Sequence, residues 1–349
     1  MKIAQIAPLA EAVPPKLYGG TERIVSYLTE ELVSLGHDVT LFTTADSVTT
    51  AKREVVWPCA LRFDESLRDP LAIHMVMLEK LAQRADEFDI IHCHVDYISY
   101  SILKRCGVPF VTTLHGRLDL QELQPLYDLF RDVPVISISD SQREPLPQAN
   151  YVTTIYHGLP ERQLLPGFGA GGYLAFIGRI SPEKAPDAAI RIAAKAGMRL
   201  KIAAKVDKVD REYFAECIEP LLDQPHVDFI GEIGEDAKAE FLGNASALLF
   251  PIAWREPFGL AMIEAMACGT PVVAFRNGSV PEVVEEGVSG FIVDNEDEAV
   301  AALRRLHSLD RARVRRRFEE RFTARRMAED YLAIFRRLIS LERPLKAVV

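Results

Sequence analysis

Several patterns are missing from this 349-residue sequence, and each absence removes a class of protein. No apolar run approaches the roughly 18 residues that a membrane-spanning helix needs. The first ten residues, MKIAQIAPLA, turn polar too early for a secretory signal. The five cysteines, at 59, 93, 106, 217 and 268, are odd in number and form no C-x-x-C pair. That argues against a disulfide framework or a zinc ribbon and leads us to expect reduced thiols in a cytoplasmic protein. Neither KIAQIAPLAEA nor LAFIGRISPEK, the openings of the two halves, runs from its strand into G-x-G-x-x-G. A two-domain nicotinamide dehydrogenase would need that turn.

Charge is present but unevenly spread. The chain carries 41 Lys and Arg against 50 Asp and Glu, a net −9. Residues 304–343 alone hold thirteen Arg against six acids, a local +7, so the remainder carries −16. An acidic chain is a poor partner for nucleic acid, and none is expected. The Arg-rich end reads as a solvated helix face with intrahelical partners such as Glu320 and Glu329. It also leaves peripheral contact with an anionic membrane open, as it leaves the oligomeric state open.

The length suits two domains. KIAQIA, DVTLFTT, FDIIHCH, PFVTTLHG and VPVISIS are apolar strand candidates separated by helical stretches at 21–35, 71–87 and near 97–105. After the Gly- and Pro-rich YHGLPERQLLPGFGAGG the pattern restarts with YLAFIGRI, RLKIAAK, VDFIGEI, ASALLFP, PVVAF and GFIV. Helices are expected between them at 185–196, 210–222, 236–243, 260–267 and 280–286. Nearly all-apolar strands alternating with helices mean parallel sheets covered on both faces. The expectation is an α/β chain of two doubly wound Rossmann-like domains, 1–157 and 173–328, joined by a linker at 158–172 with a cleft between them. In such sheets ligands bind beyond the C-terminal ends of the strands.

One stretch carries more chemistry than the rest: WREPFGLAMIEAMACGTPVVAF, residues 254–275. Strand ASALLFP ends near Pro251, so Glu256 lies on a loop at a strand's C-terminal edge. Phe258, Gly259 and Leu260 open the next helix, whose free amides and positive dipole end suit a phosphate. Glu264, about one turn inside, is placed to accept the two hydroxyls of a ribose. In FIGRISPEKAPD, Arg179 ends a strand and Lys184 follows five residues later. A planar fork and a point charge together make a diphosphate clamp. A 3-2-1-4 strand order would make these two strands neighbours.

GRISPEKAPD, GEIGEDAKAEFLGNASALLFP and the EPFG…E segment resemble the retaining glycosyltransferases of family 4, which have the GT-B fold. GGTERIVSYLTEELVSLGHDVTLFT and TLHG are similar to that family too, so the resemblance covers nearly the whole chain. It implies transfer of a sugar from a nucleotide-diphosphate-sugar to an unidentified acceptor, with UDP-sugar favoured and GDP- or ADP-sugar open. Arg179 and Lys184 would neutralise the diphosphate, Glu256 would contact the donor sugar, and Glu264 would hold the ribose. The amides of Phe258, Gly259 and Leu260 would bind phosphate. His115 would lie across the cleft near the reacting sugar, Gly19 and Gly20 would approach the diphosphate or acceptor, and backbone near Ile233 would meet the base. By the same analogy a helix at 329–349 crosses back to the first domain. The sequence has no D-x-D, so no metal and no separate cofactor is expected. A GT-B epimerase and a catalytically silent nucleotide-sugar-binding protein are the rival readings.

Four smaller features bear on the site. His92 and His94 of IHCHVD face one side of a strand, more as polar residues lining a cleft than as metal ligands. Asp96 and Tyr97 follow them as candidates for the acceptor side. Arg117, next but one to His115, hints at an anionic acceptor. Ser279 stands where another small residue is usual, with little expected to depend on it.

Overall fold

The computed structural model describes residues 1–17 and 19–346, with side chains to Leu341. The chain forms two compact units: Met1–Gly158 together with Ala324–Val349, and Leu159–Thr323. The first unit holds a seven-stranded sheet and the second a six-stranded one. Every pairing in both sheets is parallel.

The first sheet is built from β1 (Lys2–Ile6), β2 (Asp38–Thr44), β3 (Lys52–Trp57), β4 (Ile90–Cys93), β5 (Phe110–Thr113), β6 (Pro134–Ser137) and β7 (Asn150–Thr154). Its order is β3-β2-β1-β4-β5-β6-β7. Helix Gly20–Ser34 links β1 to β2, and helix Pro70–Ala82 precedes β4. Asp69 accepts from the amides of Leu71 and Ala72, and Pro70 fills the first helical position, so that start is doubly specified. The helix expected over 71–87 stops at Ala82, and a 3-10 turn covers Ala85–Glu87. Near 97–105 there is a 3-10 turn, Asp96–Ser99, and one α-turn, Tyr100–Leu103. Strands β3 and β7 and helix Leu123–Leu129 had no expectation attached. β3 and β7 are the edges of the sheet and carry the mixed, half-exposed residues KREVVW and NYVTT. Their apolar signal is correspondingly weak.

The second sheet contains β8 (Tyr173–Arg179), β9 (Arg199–Lys205), β10 (Val227–Gly231), β11 (Ala247–Phe250), β12 (Val272–Phe275) and β13 (Gly290–Val293). Its order, β10-β9-β8-β11-β12-β13, makes β8 and β11 neighbours at the point where the winding reverses. Leu174, Phe176, Ile202, Leu249, Val273 and Phe291 contribute to its buried core. The segment expected as one helix at 210–222 widens to a π-turn over Phe214–Ile218. Pro220, without an amide proton and with a ring that crowds the carbonyl four residues earlier, accounts for the wider turn.

The arginines near the C-terminus are largely structural. Arg311 donates to the carbonyls of Gly167, Gly243 and Ala245 and to the Thr270 hydroxyl. Buried Arg315 donates to the carbonyls of Glu161, Leu164 and Ala267. These two side chains fasten the Gly-rich segment to the second unit. The expected intrahelical pairs also form: Arg317–Glu320 at 2.6 Å and Arg325–Glu329 at 2.9 Å. Helix Ala324–Lys346 begins five residues before the expected 329 and belongs to the first unit. No described helix is long and apolar enough to cross a membrane.

Candidate functional site

In the second unit, β8 ends at Arg179, and a turn carrying Glu183 and Lys184 leads into helix Pro186–Ala196. β11 ends at Phe250 and is followed by loop 251–259 and helix Leu260–Ala267. The two loops are joined, because the amide of Ala253 donates to the carbonyl of Glu183 at 2.9 Å. Across that junction Lys184 forms an ion pair with Glu256. Glu256 also accepts from the Trp254 indole at 2.7 Å. The Lys184 ammonium lies 5.8 Å from the Phe250 ring centroid and 5.5 Å from that of Trp254. Both charged side chains are largely buried, and each needs the other there.

Arg179 does not meet Lys184 in a shared contact. It faces three carboxylates: Glu183 at 3.3 Å, Asp210 at 3.4 Å and Asp207 at 4.0 Å. Burial raises the Asp210 carboxyl above its usual range, although Arg179 works against that shift. Glu264, buried on helix Leu260–Ala267, pairs with Lys238 of helix Glu235–Asn244 at 2.7 Å. Ile233 lies half-buried between β10 and that helix.

Gly259 precedes helix Leu260–Ala267 in the left-handed region, with φ of 81°. A Cβ there would stand 2.7 Å from Met262 Cε and 3.0 Å from the Phe250 ring, so both backbone angle and space demand glycine. Phe258 points inward, its ring 6.2 Å from that of Phe322. The amides that open a helix have no intrahelical acceptor, which leaves this helix end suited to an anion.

The turn after β12 supports this loop. Asn277 donates to the carbonyl of Ile252 at 2.7 Å, the Ser279 amide to that of Glu256 at 3.0 Å, and the Ser279 hydroxyl to that of Phe258 at 2.7 Å. Ser279, from which little was expected, is therefore a fixed support of the motif. Gly278 has φ of 55°, and a Cβ on it would come within 2.3 Å of the Glu256 carbonyl oxygen. Gly278→Ala is expected to displace Glu256, lower kcat/KM more than tenfold and cost about 2 kcal/mol of stability. Kinetics and a denaturant midpoint check this; unchanged kcat/KM would show that the turn does not set the position of Glu256.

In the first unit His115 follows β5 and belongs to a group of histidines. Its Nε2 is 2.9 Å from His94 Nδ1, and His94 Nε2 is 2.8 Å from Gln5 Oε1. His92 Nε2 is 2.8 Å from the Thr113 hydroxyl, which is 2.9 Å from that of Tyr331. The His157 ring stacks on His115 with centroids 5.3 Å apart. Burial pushes His115 down to about 3, so its ring is neutral. His92, His94 and His157 are held well below the usual histidine range by burial and neighbouring imidazoles, with Arg326 adding to the effect at His157. Both nitrogens of His94 are engaged, one by His115 and the other by Gln5. Among the described residues no cluster of His, Cys, Asp or Glu could hold a metal.

Elsewhere in this unit, Gly19 precedes helix Gly20–Ser34, and a Cβ on it would stand 2.7 Å from Pro15. Arg117 is held by Asp119 through two hydrogen bonds, at 2.7 and 2.8 Å. Burial raises Asp96 to about 6.

Sequence reading missed Trp254, Lys238, Asp207, Asp210 and the support from residues 277–279. Lys238 offered one signal, a cation in the first turn of a helix where the dipole disfavours it.

Two doubly wound parallel units, with EPFG on a loop beyond one strand and R-x-x-x-x-K beyond its neighbour, define a class of sugar-transferring enzymes. The family model described as Glycosyltransferase Family 4 matches residues 18–160, and that described as Glycosyl transferases group 1 matches residues 168–324. The chain belongs to the family 4-type glycosyltransferases of GT-B fold and is an enzyme of that kind. A D-inositol 3-phosphate glycosyltransferase of Acidothermus cellulolyticus is 26% identical over 341 residues, covering 80% of this chain and 76% of that one. A solved glycosyltransferase involved in avilamycin A biosynthesis aligns with a TM-score of 0.74 at 24% identity, covering 97% of this chain and 98% of that one. Anabaena HepE, solved in complex with UDP and glucose, aligns with a TM-score of 0.74 at 18% identity, covering 96% and 99%. These structural likenesses concern the fold.

Proposed function

We propose that the protein transfers a sugar from a nucleotide-diphosphate-sugar, UDP-sugar favoured, with retention of anomeric configuration and without a metal. The observation that carries this is the junction of the β8 and β11 loops. There Lys184, Glu256 and Trp254 share one contact beside the amino end of helix Leu260–Ala267. Arg179 and Lys184 would neutralise the growing charge on the leaving diphosphate, aided by the amides near Gly259. Both cations are held by carboxylates, so the donor's phosphates would replace or share partners already gathered there. Glu256, fixed by Lys184 and Trp254, keeps further lone pairs for the donor sugar's hydroxyls. Glu264 would accept from the ribose.

Glu256, the carboxylate read at the donor sugar, is already engaged by Lys184 and Trp254. Retention is then best served by same-face attack. The bond from the anomeric carbon to the phosphate oxygen breaks, the acceptor oxygen bonds to the same face, and its proton passes to the departing phosphate. Neutral His115 would orient a substrate hydroxyl without acting as a base. The Acidothermus relative is named for an inositol phosphate, and an anionic acceptor would have to compete with Asp119 for the Arg117 guanidinium.

A thermal-shift panel of UDP, GDP and ADP, with EDTA and with manganese, tests the donor reading. UDP at about a hundred times its Kd is expected to add about 2.7 kcal/mol of stability, and EDTA to leave this unchanged. No shift with any nucleotide would refute the donor site, and a shift that needs manganese would refute metal independence. The anomeric configuration of the product, read by NMR, tests retention.

A further inference from the structure

Lys238 is a buried ammonium with no part in the chemistry described so far. Its Nζ lies 2.7 Å from Glu264 Oε1 and 2.5 Å from Glu235 Oε1. Glu235 is itself anchored by the Gln163 side-chain amide at 2.8 Å. Burial disfavours its charge, yet the two carboxylates outweigh burial and raise its pKa above the usual lysine value. A cation near the helix start opposes the helix dipole and is offset there by its pair with Glu235 one turn back, so what remains is its reach to the neighbouring helix. It serves the partner carboxylate. Glu264 Oε2 has no hydrogen-bond partner among the described residues. One oxygen is thus fixed and its twin left open.

We propose that Lys238 is a positioning residue that orients the Glu264 carboxylate toward a vicinal diol, and so makes the site selective for ribonucleotides over 2′-deoxyribonucleotides. This rests on the reading of Glu264 as the ribose ligand. A carboxylate free to rotate would accept one hydroxyl nearly as well as two. Held by Lys238 and, through it, by Glu235 and Gln163, it has one plane to offer, and a ribose matches that plane with both hydroxyls. A ligand without its 2′-hydroxyl would leave part of this buried acceptor unpaired, which is the strongest form of discrimination a polar site has.

The experiment measures Kd for UDP and for 2′-deoxy-UDP by calorimetry, and donor KM and kcat, in the wild type and in Lys238→Met, Lys238→Arg and Glu264→Gln. The wild type is expected to prefer UDP at least tenfold. Lys238→Met, which keeps the length of the side chain without its charge, should bring the ratio to within about twofold of unity. It should do so by weakening UDP and sparing 2′-deoxy-UDP, with donor KM raised and kcat within about threefold. Lys238→Arg should recover part of the ratio. Where Lys238→Met does not fold, the Arg variant alone decides, since a changed reach must shift the ratio. A folded Lys238 variant that keeps the wild-type ratio would overturn the proposal while leaving Glu264 as ribose ligand. A wild type that binds both nucleotides alike, or UDP binding unaffected by Glu264→Gln, would instead remove the Glu264 reading and the proposal with it.

Discussion

Lys184→Ala is expected to lower kcat/KM at least a hundredfold, about 2.7 kcal/mol of transition-state stabilisation. Two effects combine. On the proposed reading the leaving diphosphate loses a point charge where preorganised charge is worth most. Glu256 also loses the ammonium that neutralises it, in a place where its side chain is 10% exposed. Held then by the Trp254 indole alone, the carboxylate can swing away, and the donor sugar meets a different group. Lys184→Arg should not restore activity. The ammonium lies 5.8 Å from the ring centre of Phe250 and 5.5 Å from that of Trp254, and a planar guanidinium differs from it in shape and reach. Arg179→Ala should show a loss of the same kind, while freeing Asp207, Asp210 and Glu183 of their shared cation. A fall of less than about tenfold in either alanine variant, about 1.4 kcal/mol, would mean that the clamp is not what drives departure of the nucleotide.

The second large effect is acid destabilisation. His92, His94 and His157 are almost wholly buried and held neutral, their pKa values lowered chiefly by burial. Unfolding returns each to the ordinary histidine value near 6.5. Above that pH neither state binds the extra protons and stability is at its full value. Below it the unfolded chain takes them up and the folded one does not, so stability is lost as pH falls. Each histidine adds a slope of up to about 1.4 kcal/mol per pH unit wherever the unfolded chain alone is protonated, and the three act in the same direction. The partners described for His92 and His94 are uncharged, namely Gln5, Thr113 and neutral His115, and Arg326 opposes protonation of His157. The melting temperature should be flat from about pH 8 to 7 and then fall steeply toward pH 5. A constant melting temperature across that range would show that the cluster is charged or hydrated in the folded protein.

Much of the architecture was legible because interior strands such as KIAQI and ALLF are apolar runs too short for helices. The restart of strand–helix alternation after the Gly-rich segment marked the second sheet. Edge strands β3 and β7 escaped because half-exposed residues carry little hydrophobic signal. The EPFG motif could be read because its glycine, its helix start and its two glutamates lie within nine residues. What could not be read were partners distant along the chain. Lys238 reaches Glu264 across 26 residues, Lys184 reaches Glu256 across 72, and His94 reaches Gln5 across 89. Only the winding of the sheets brings such pairs together. Arginine density was likewise ambiguous, since sequence does not separate a solvated guanidinium from one that ties down three carbonyls, as Arg315 does.

The chain leaves the first unit at Gly158 and rejoins it at Ala324, and where it crosses, Leu159 pairs with Phe322 and Thr323. The second unit is therefore a closed insertion whose two ends lie side by side. On the ribosome, Tyr331 and Phe335, which pack against His92 at 4.7 and 5.2 Å between ring centroids, emerge only after the whole insertion has been synthesised. The amino-terminal half must wait, incomplete, for a helix made long after its own strands.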